Sequence, residues 1–144
     1  MDRAGISYTK DDVKYLVGEI ERLAPFPEVP AALTKLQTKY KLVVLLNGDP
    51  DMLETAKKFH KIPFDVVISV AEANSFKPHL ATYTKAAEIL VLPLDQILFV
   101  ANHAFDCIGA KAAGMRTASR PFGDTPYQPD ILVPTMKDLA DAIV

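Results

Sequence analysis

Two short, wholly apolar runs, Leu42 to Leu46 and Ile97 to Ala101, constrain this chain most. Five apolar residues in a row have the length and composition of a strand buried on both faces. That marks a parallel sheet covered by helices, not an antiparallel sheet with one wet face. Phe64 to Ser69 is apolar and β-branched and reads as another strand of this kind. Arg116 to Ser119 reads as a less apolar strand, and Ile131 to Val133 as a short one. Helical signals fill the intervals. Thr9 and Asp12 form a capping box ahead of Val13, Leu16, Val17, Ile20 and Leu23, so a helix is expected over Lys10 to Leu23, ending before Pro25. Pro30 opens a second helix with Ala32, Leu33 and Leu36 on its apolar face. Asp49 and Pro50 read as the cap and first residue of a third, burying Leu53, Ala56 and Phe59. Further helices are expected from His79 (Leu80, Ala87 and Leu90 inward), from about Phe105, and from near Thr135. Alternation of this kind predicts one α/β domain, a mainly parallel sheet flanked by helices.

Bulk properties narrow the partners. A net charge of −2 with no basic stripe leaves no footprint for nucleic acid. No apolar run approaches the ~20 residues that span a bilayer, and the first ten residues carry no signal-peptide segment. A single cysteine, Cys107, excludes an internal disulfide and a Cys-based zinc cage. The expectation is a cytoplasmic protein with no nucleic-acid or membrane partner. No G-x-G-x-x-G, Walker P-loop, H-E-x-x-H or G-x-S-x-G is present.

The polar residues that could carry chemistry cluster at strand ends, where α/β sheets build their sites. After Ile97–Ala101 come Asn102, His103 and Asp106, expected to line a pocket. His103 is either a general acid/base or a structural hydrogen-bonding residue. Asp106 is a pocket carboxylate, a helix anchor, or both. A metal is not expected, because a hard cation wants several oxygens and Asp106 is the one charged residue of that turn. Lys77, in a loop before Pro78, either neutralises a substrate anion or is a solvated loop lysine. Tyr83, one turn into the next helix, either faces the same pocket or packs. Asp49-Pro50-Asp51 is a D-x-D motif after a strand, read mainly as a helix cap and otherwise as a nucleophile–acid pair. Cys107 reads as a small buried hydrophobe, and His60 and His79 as surface residues at helix ends.

These stretches together resemble the haloacid dehalogenase superfamily, specifically its type II 2-haloacid dehalogenase branch. PFPEVPAALTKL followed by LVVLLNGD is similar to the return from the family's cap domain and its second motif. SFKPHLATY resembles the third motif, and FVANHAFDCIGAKAAGM the fourth. Asn47, Lys77, Tyr83 and Asp106 match residue by residue. The resemblance implies a Rossmann-like core over residues 25–144, with residues 1–24 as the last cap helix and a linker. The chain departs from the family pattern in several places. The first motif, a strand ending in the nucleophilic aspartate, has no counterpart. Leu46 stands where the second motif has Ser or Thr. Ala101, Asn102 and His103 replace the serine-rich start of the fourth motif. Asn102 falls where magnesium-dependent members carry an acid.

The family's nucleophile strand is central, so its loss implies two half-sheets with unpaired edges. The strands of the second and fourth motifs could pair directly, the N-terminal segment could fill the gap, or a second chain could cover it. Direct pairing or a homodimer is expected. Hydrolytic dehalogenation needs a nucleophilic carboxylate, so neither dehalogenase nor phosphatase activity is expected. The expected function is a repurposed small-molecule site without a cofactor, catalysing a cyclisation, isomerisation or intramolecular cycloaddition of a largely apolar biosynthetic substrate. His103, Lys77 and Asp106 would be catalytic there, and Asn47, Tyr83 and Asn102 would bind substrate. The alternatives are a non-catalytic pseudoenzyme and a fragment of a 2-haloacid dehalogenase.

Overall fold

Thr9 starts the first helix as its spacing to Asp12 requires. Its amide and its hydroxyl both donate to Asp12 Oδ2 at 2.7 Å, and the Asp12 amide donates back to Thr9 Oγ1 at 3.2 Å. The computed structural model describes residues 5–48, 50, 64–121 and 126–144, with the side chains of residues 20 and 21 excepted. Helix α1 spans Lys10–Glu21. The face that the spacing marked as inward is not covered: Val13, Leu16 and Val17 are exposed. Periodicity shows that a helix has an apolar face, not which element lies against it.

Helix α2 (Val29–Gln37) carries Pro30 in its first turn and buries Ala32, Leu33 and Leu36, as expected. Strand β1 (Val43–Leu46) pairs in parallel with β2 (Val66–Ser69), Val43 opposite Val66 and Leu46 opposite Ser69. The helix expected after Asp49 falls on residues 51–63, so Asp49, Asp51, Leu53, Ala56, Phe59 and His60 lie outside the described residues. A short 3-10 turn follows β2, and Asn74 closes it with a left-handed backbone, φ +46°. Helix α3 spans Leu80–Leu90, where the His79 Nδ1 accepts from the Ala81 amide. Strand β3 (Leu98–Val100), helix α4 (Ala104–Ala113), strand β4 (Arg116–Ser119), strand β5 (Ile131–Leu132) and helix α5 (Met136–Ile143) complete the chain.

Two apolar clusters hold these elements. Ala32, Leu33 and Leu36 of α2 meet Ala140 of α5, with Leu42 and Phe64 packed alongside. Tyr83 of α3 meets Ala110 of α4 and Met115, with Leu45 of β1 and Phe99 of β3 packed alongside.

The sheet is divided. Among the described residues, β1–β2 form one parallel pair and β3–β4–β5 a separate parallel sheet. Direct pairing of the second- and fourth-motif strands is therefore corrected: β1 and β3 are not hydrogen-bonded to each other. The reason is packing. Leu45 and Phe99 are both seated on the Tyr83–Ala110–Met115 cluster, so α3 and α4 set where the two strands stand. No helix of the described residues is long and apolar enough to cross a membrane.

Asp130 ties the far end of the second sheet. Its carboxylate accepts from the Thr117 amide (2.8 Å), the Thr117 hydroxyl (2.9 Å) and Lys111 Nζ (2.9 Å). Lys111 foremost, and then the Thr117 amide, pull the Asp130 carboxyl down to about 2. A carboxyl depressed on folding contributes stability above its unfolded value of roughly 3.9, and that contribution is lost as the pH falls through the folded value. The stability difference between the wild type and Asp130→Asn should therefore hold above pH 4 and shrink towards zero by about pH 2. Thermal unfolding across that range measures it, and a difference independent of pH would exclude the carboxylate as its source.

Candidate active site

Lys77 is the centre of the polar groups at the strand ends. The loop carrying it follows β2 and its short 3-10 turn, and Asn47, just past the end of β1, clamps it. Asn47 Oδ1 accepts from the Lys77 amide at 2.9 Å, and Asn47 Nδ2 donates to the Lys77 carbonyl at 3.3 Å. Spending both ends of one amide on the main chain of a single residue fixes that residue's direction. Ser69, closing β2, reinforces the corner: its hydroxyl donates to the Gly48 carbonyl at 2.8 Å and accepts from the Ala71 amide at 3.1 Å.

Thus aimed, Lys77 reaches the second sheet. Its Nζ donates to Asp106 Oδ2 at 3.1 Å and stands 5.6 Å from the centroid of the Phe99 ring. The two side chains are only 10% and 11% exposed. Ring and carboxylate both attract the ammonium group. Asp106 is in the first turn of α4, where the helix dipole also favours a negative charge. Its second oxygen, Oδ1, is buried without a hydrogen-bond partner among the described residues. One chain of contacts, Asn47 to Lys77 to Asp106, thus crosses from the first half-sheet to the second.

Tyr83 lies beneath this chain. It is completely buried, its ring meets Phe99 edge-on at 5.4 Å, and its hydroxyl donates to the Asp106 carbonyl at 3.1 Å. Burial, with the Asp106 charge adding to it, holds the phenol above its ordinary range. Of the two readings the sequence allowed, the geometry is that of packing. Gly109 of α4 makes room for it, because a Cβ there would lie 2.8 Å from the Pro78 carbonyl oxygen and from Tyr83 Cε2 and Oη. Cys107 is fully buried beside Asp106, and burial with the nearby charge pushes its thiol up to about 11, away from nucleophilic use.

Asn102 and His103 share the turn but not the depth. Both are exposed, and His103 stacks on Phe105 with ring centroids 5.5 Å apart. His103 precedes α4 without capping it through its side chain. The structure therefore brings Asn47, Lys77, Asp106 and Tyr83 into contact and leaves Asn102 and His103 at the rim. Sequence reasoning missed Ser69, Phe99 and Gly109. A hydroxyl closing an apolar strand, and a glycine amid the alanines of a helix, were the signals for the first and last. Among the described residues, no three His, Cys, Asp or Glu side chains cluster as metal ligands.

The geometry has close counterparts. The haloacid dehalogenase-like hydrolase family matches residues 2–114. Haloacetate dehalogenase H-2 of Moraxella sp. (strain B) is 34% identical over 137 residues, which is 90% of this chain and 59% of that protein. The (S)-2-haloacid dehalogenase of Xanthobacter autotrophicus is 38% identical over 99 residues, 67% of this chain and 39% of that protein. The chain thus spans about half the length of these relatives. The solved structure of L-2-haloacid dehalogenase from Xanthobacter autotrophicus with chloropropionic acid covalently bound superposes with a TM-score of 0.87 at 26% identity. That match covers 99% of this chain and 70% of the other.

These matches correct the expected function. They point to hydrolases and dehalogenases, not to a cyclase or isomerase of a biosynthetic pathway. They agree better with the alternative, part of a 2-haloacid dehalogenase. The expectation rested on the missing first motif and on the rewritten residues Asn102 and His103. They stand exposed at the rim, whereas the residues matching the third and fourth motifs, Lys77 and Asp106, form the buried pair.

Proposed function

Because the chain belongs to the haloacid dehalogenase-like hydrolase family, we propose that it carries the lysine–aspartate part of a site hydrolysing small 2-haloacids. The observation that carries this reading is the buried Lys77–Asp106 pair, aimed by Asn47 at the ends of β1 and β3. An ammonium has three donors. The hydrogen bond described for Lys77 Nζ uses one of them, on Asp106. The other two suit the carboxylate of a 2-haloacid, and the surrounding apolar residues strengthen that contact by excluding water. Asp106 is a positioning residue here: its Oδ2 holds Lys77, and its carbonyl is held by Tyr83. Displacement of halide from carbon then calls for a carboxylate nucleophile, which leaves an ester that water cleaves.

Binding tests this reading independently of turnover. Titrating the chain with 2-chloropropionate should give saturable shifts of the Asn47 and Lys77 amide resonances. Loss of a charge-assisted hydrogen bond costs about 1.5–3 kcal/mol, so Lys77→Met should weaken binding by roughly ten- to a hundredfold. The double variant Lys77→Met/Asp106→Leu, which leaves no unpaired buried charge, should show the same loss while remaining folded. Undiminished binding in both variants, or none in the wild type, would exclude the assignment of Lys77.

A further inference from the structure

Asn47 stands before Gly48, and of the three asparagines in the chain it alone precedes a glycine. That pairing carries its own chemistry. The amide nitrogen of the following residue can attack the asparagine Cγ, and glycine leaves that nitrogen unshielded because it has no side chain. Asn47 is exposed and Gly48 half-buried, so water reaches the corner where they lie.

Folding restrains both reacting groups. Asn47 Oδ1 accepts from the Lys77 amide at 2.9 Å and Nδ2 donates to the Lys77 carbonyl at 3.3 Å, which commits the side-chain amide to Lys77. The Ser69 hydroxyl donates to the Gly48 carbonyl at 2.8 Å and restrains the other partner. Two hydrogen bonds of ordinary net strength hold a clamp of this kind closed by roughly ten- to a hundredfold. Loop corners open locally, without unfolding of the rest.

We propose that Asn47 is a deamidation site gated by its own clamp: it reacts when its hold on Lys77 opens, and the product cannot close that hold again. The Gly48 nitrogen bonds to Cγ and gives up its proton, the Cγ–Nδ2 bond breaks, and Nδ2 leaves as ammonia. Water then opens the cyclic imide at either carbonyl, leaving aspartate or isoaspartate at position 47. Neither product has the Nδ2 hydrogen that the Lys77 carbonyl accepts, and a carboxylate oxygen brought to that carbonyl repels it. Isoaspartate also adds a methylene to the main chain just past β1. The Asn47–Lys77–Asp106 chain between the two half-sheets thereby loses its first link for good. The inference goes beyond the function proposed above and stands without it.

Peptide mapping by mass spectrometry, on the full chain held in mildly alkaline buffer, tests the proposal. The reference is a synthetic peptide of Leu45 to Asp51, which has no clamp. Asn47 should convert in the chain roughly ten- to a hundredfold more slowly than in the peptide. Urea too dilute to change the circular dichroism should speed the conversion severalfold, and so should Ser69→Ala. In the converted chain, the Lys77 amide should exchange its hydrogen about tenfold faster or more. A rate equal to the peptide's overturns the gate. So does a rate that rises only with global unfolding in urea, an outcome read on the wild type whether or not Ser69→Ala folds. Absence of conversion over roughly a hundred half-lives of the peptide, dilute urea included, overturns the site itself. Unchanged Lys77 exchange in the converted chain overturns the loss of the clamp.

Discussion

Replacing Asp106 by alanine is expected to destabilise the chain by about 3–5 kcal/mol, the range for breaking a buried ion pair from one side. The size follows from exposure. Lys77 and Asp106 are 10% and 11% exposed, so water cannot solvate the ammonium left behind. The pairs Lys35–Asp141 and Lys137–Asp141 have shorter contacts, 2.7 and 2.6 Å, but side chains 42–68% exposed. Pairs in water contribute about 0–1 kcal/mol at most, so removing Asp141 should do far less than removing Asp106. For a chain of this size, 3–5 kcal/mol lowers Tm by roughly 10 °C or more. Adding Lys77→Met to an Asp106→Leu background should restore most of the loss, because apolar groups of similar volume replace a buried pair at little cost. Thermal unfolding of the two singles and the double measures the coupling. If Asp106→Ala shifts Tm by less than the surface variant, the pair is solvated and does not join the two halves.

Gly109→Ala is expected to destabilise by about 2 kcal/mol, against the helical preference for alanine. In an exposed helix interior the exchange would gain about 1 kcal/mol. At Gly109 the new Cβ would meet the Pro78 carbonyl oxygen and the Tyr83 ring and hydroxyl, each at 2.8 Å. The carbonyl is main chain, and the tyrosine is completely buried against Phe99, so neither has room to withdraw. Helices α3 and α4 must separate, an overpacking cost of roughly 1–3 kcal/mol or more. Gly18 in α1 is the control, since a Cβ there meets only the Arg22 guanidinium, no nearer than 3.5 Å. Gly18→Ala should raise helix content by circular dichroism while Gly109→Ala lowers Tm. A Gly109→Ala variant as stable as the wild type would show that α3 and α4 can move apart freely.

The part of the site legible in the sequence was the part written locally. Lys77 before Pro78 and Asp106 five residues after Ala101 are positions relative to strand ends, and strand ends show as breaks in apolar runs. Their partnership was not legible, because 29 residues separate them and only the placing of both strands on α3 and α4 brings Nζ to Oδ2. Tyr83 shows the same limit. Helical spacing placed it near Lys77, but whether its hydroxyl met a ligand or a carbonyl depended on how closely α4 approached, which Gly109 decides. Asn102 and His103 stand exposed at the rim, a placement the sequence did not show because polarity after a strand says nothing about depth.

By itself, the sequence determined the α/β alternation, the parallel pairing, the capping of α1 and α5 by Thr9 and Thr135, and the resemblance to a dehalogenase family. Each of these follows from composition and spacing within one element or between neighbours. Tertiary structure alone decided that Lys77 is buried instead of solvated, that α1 leaves Val13, Leu16 and Val17 exposed, and that, among the described residues, β1 and β3 do not pair with each other. Burial and edge pairing depend on which surfaces distant elements bring together, and periodicity carries no record of that partner.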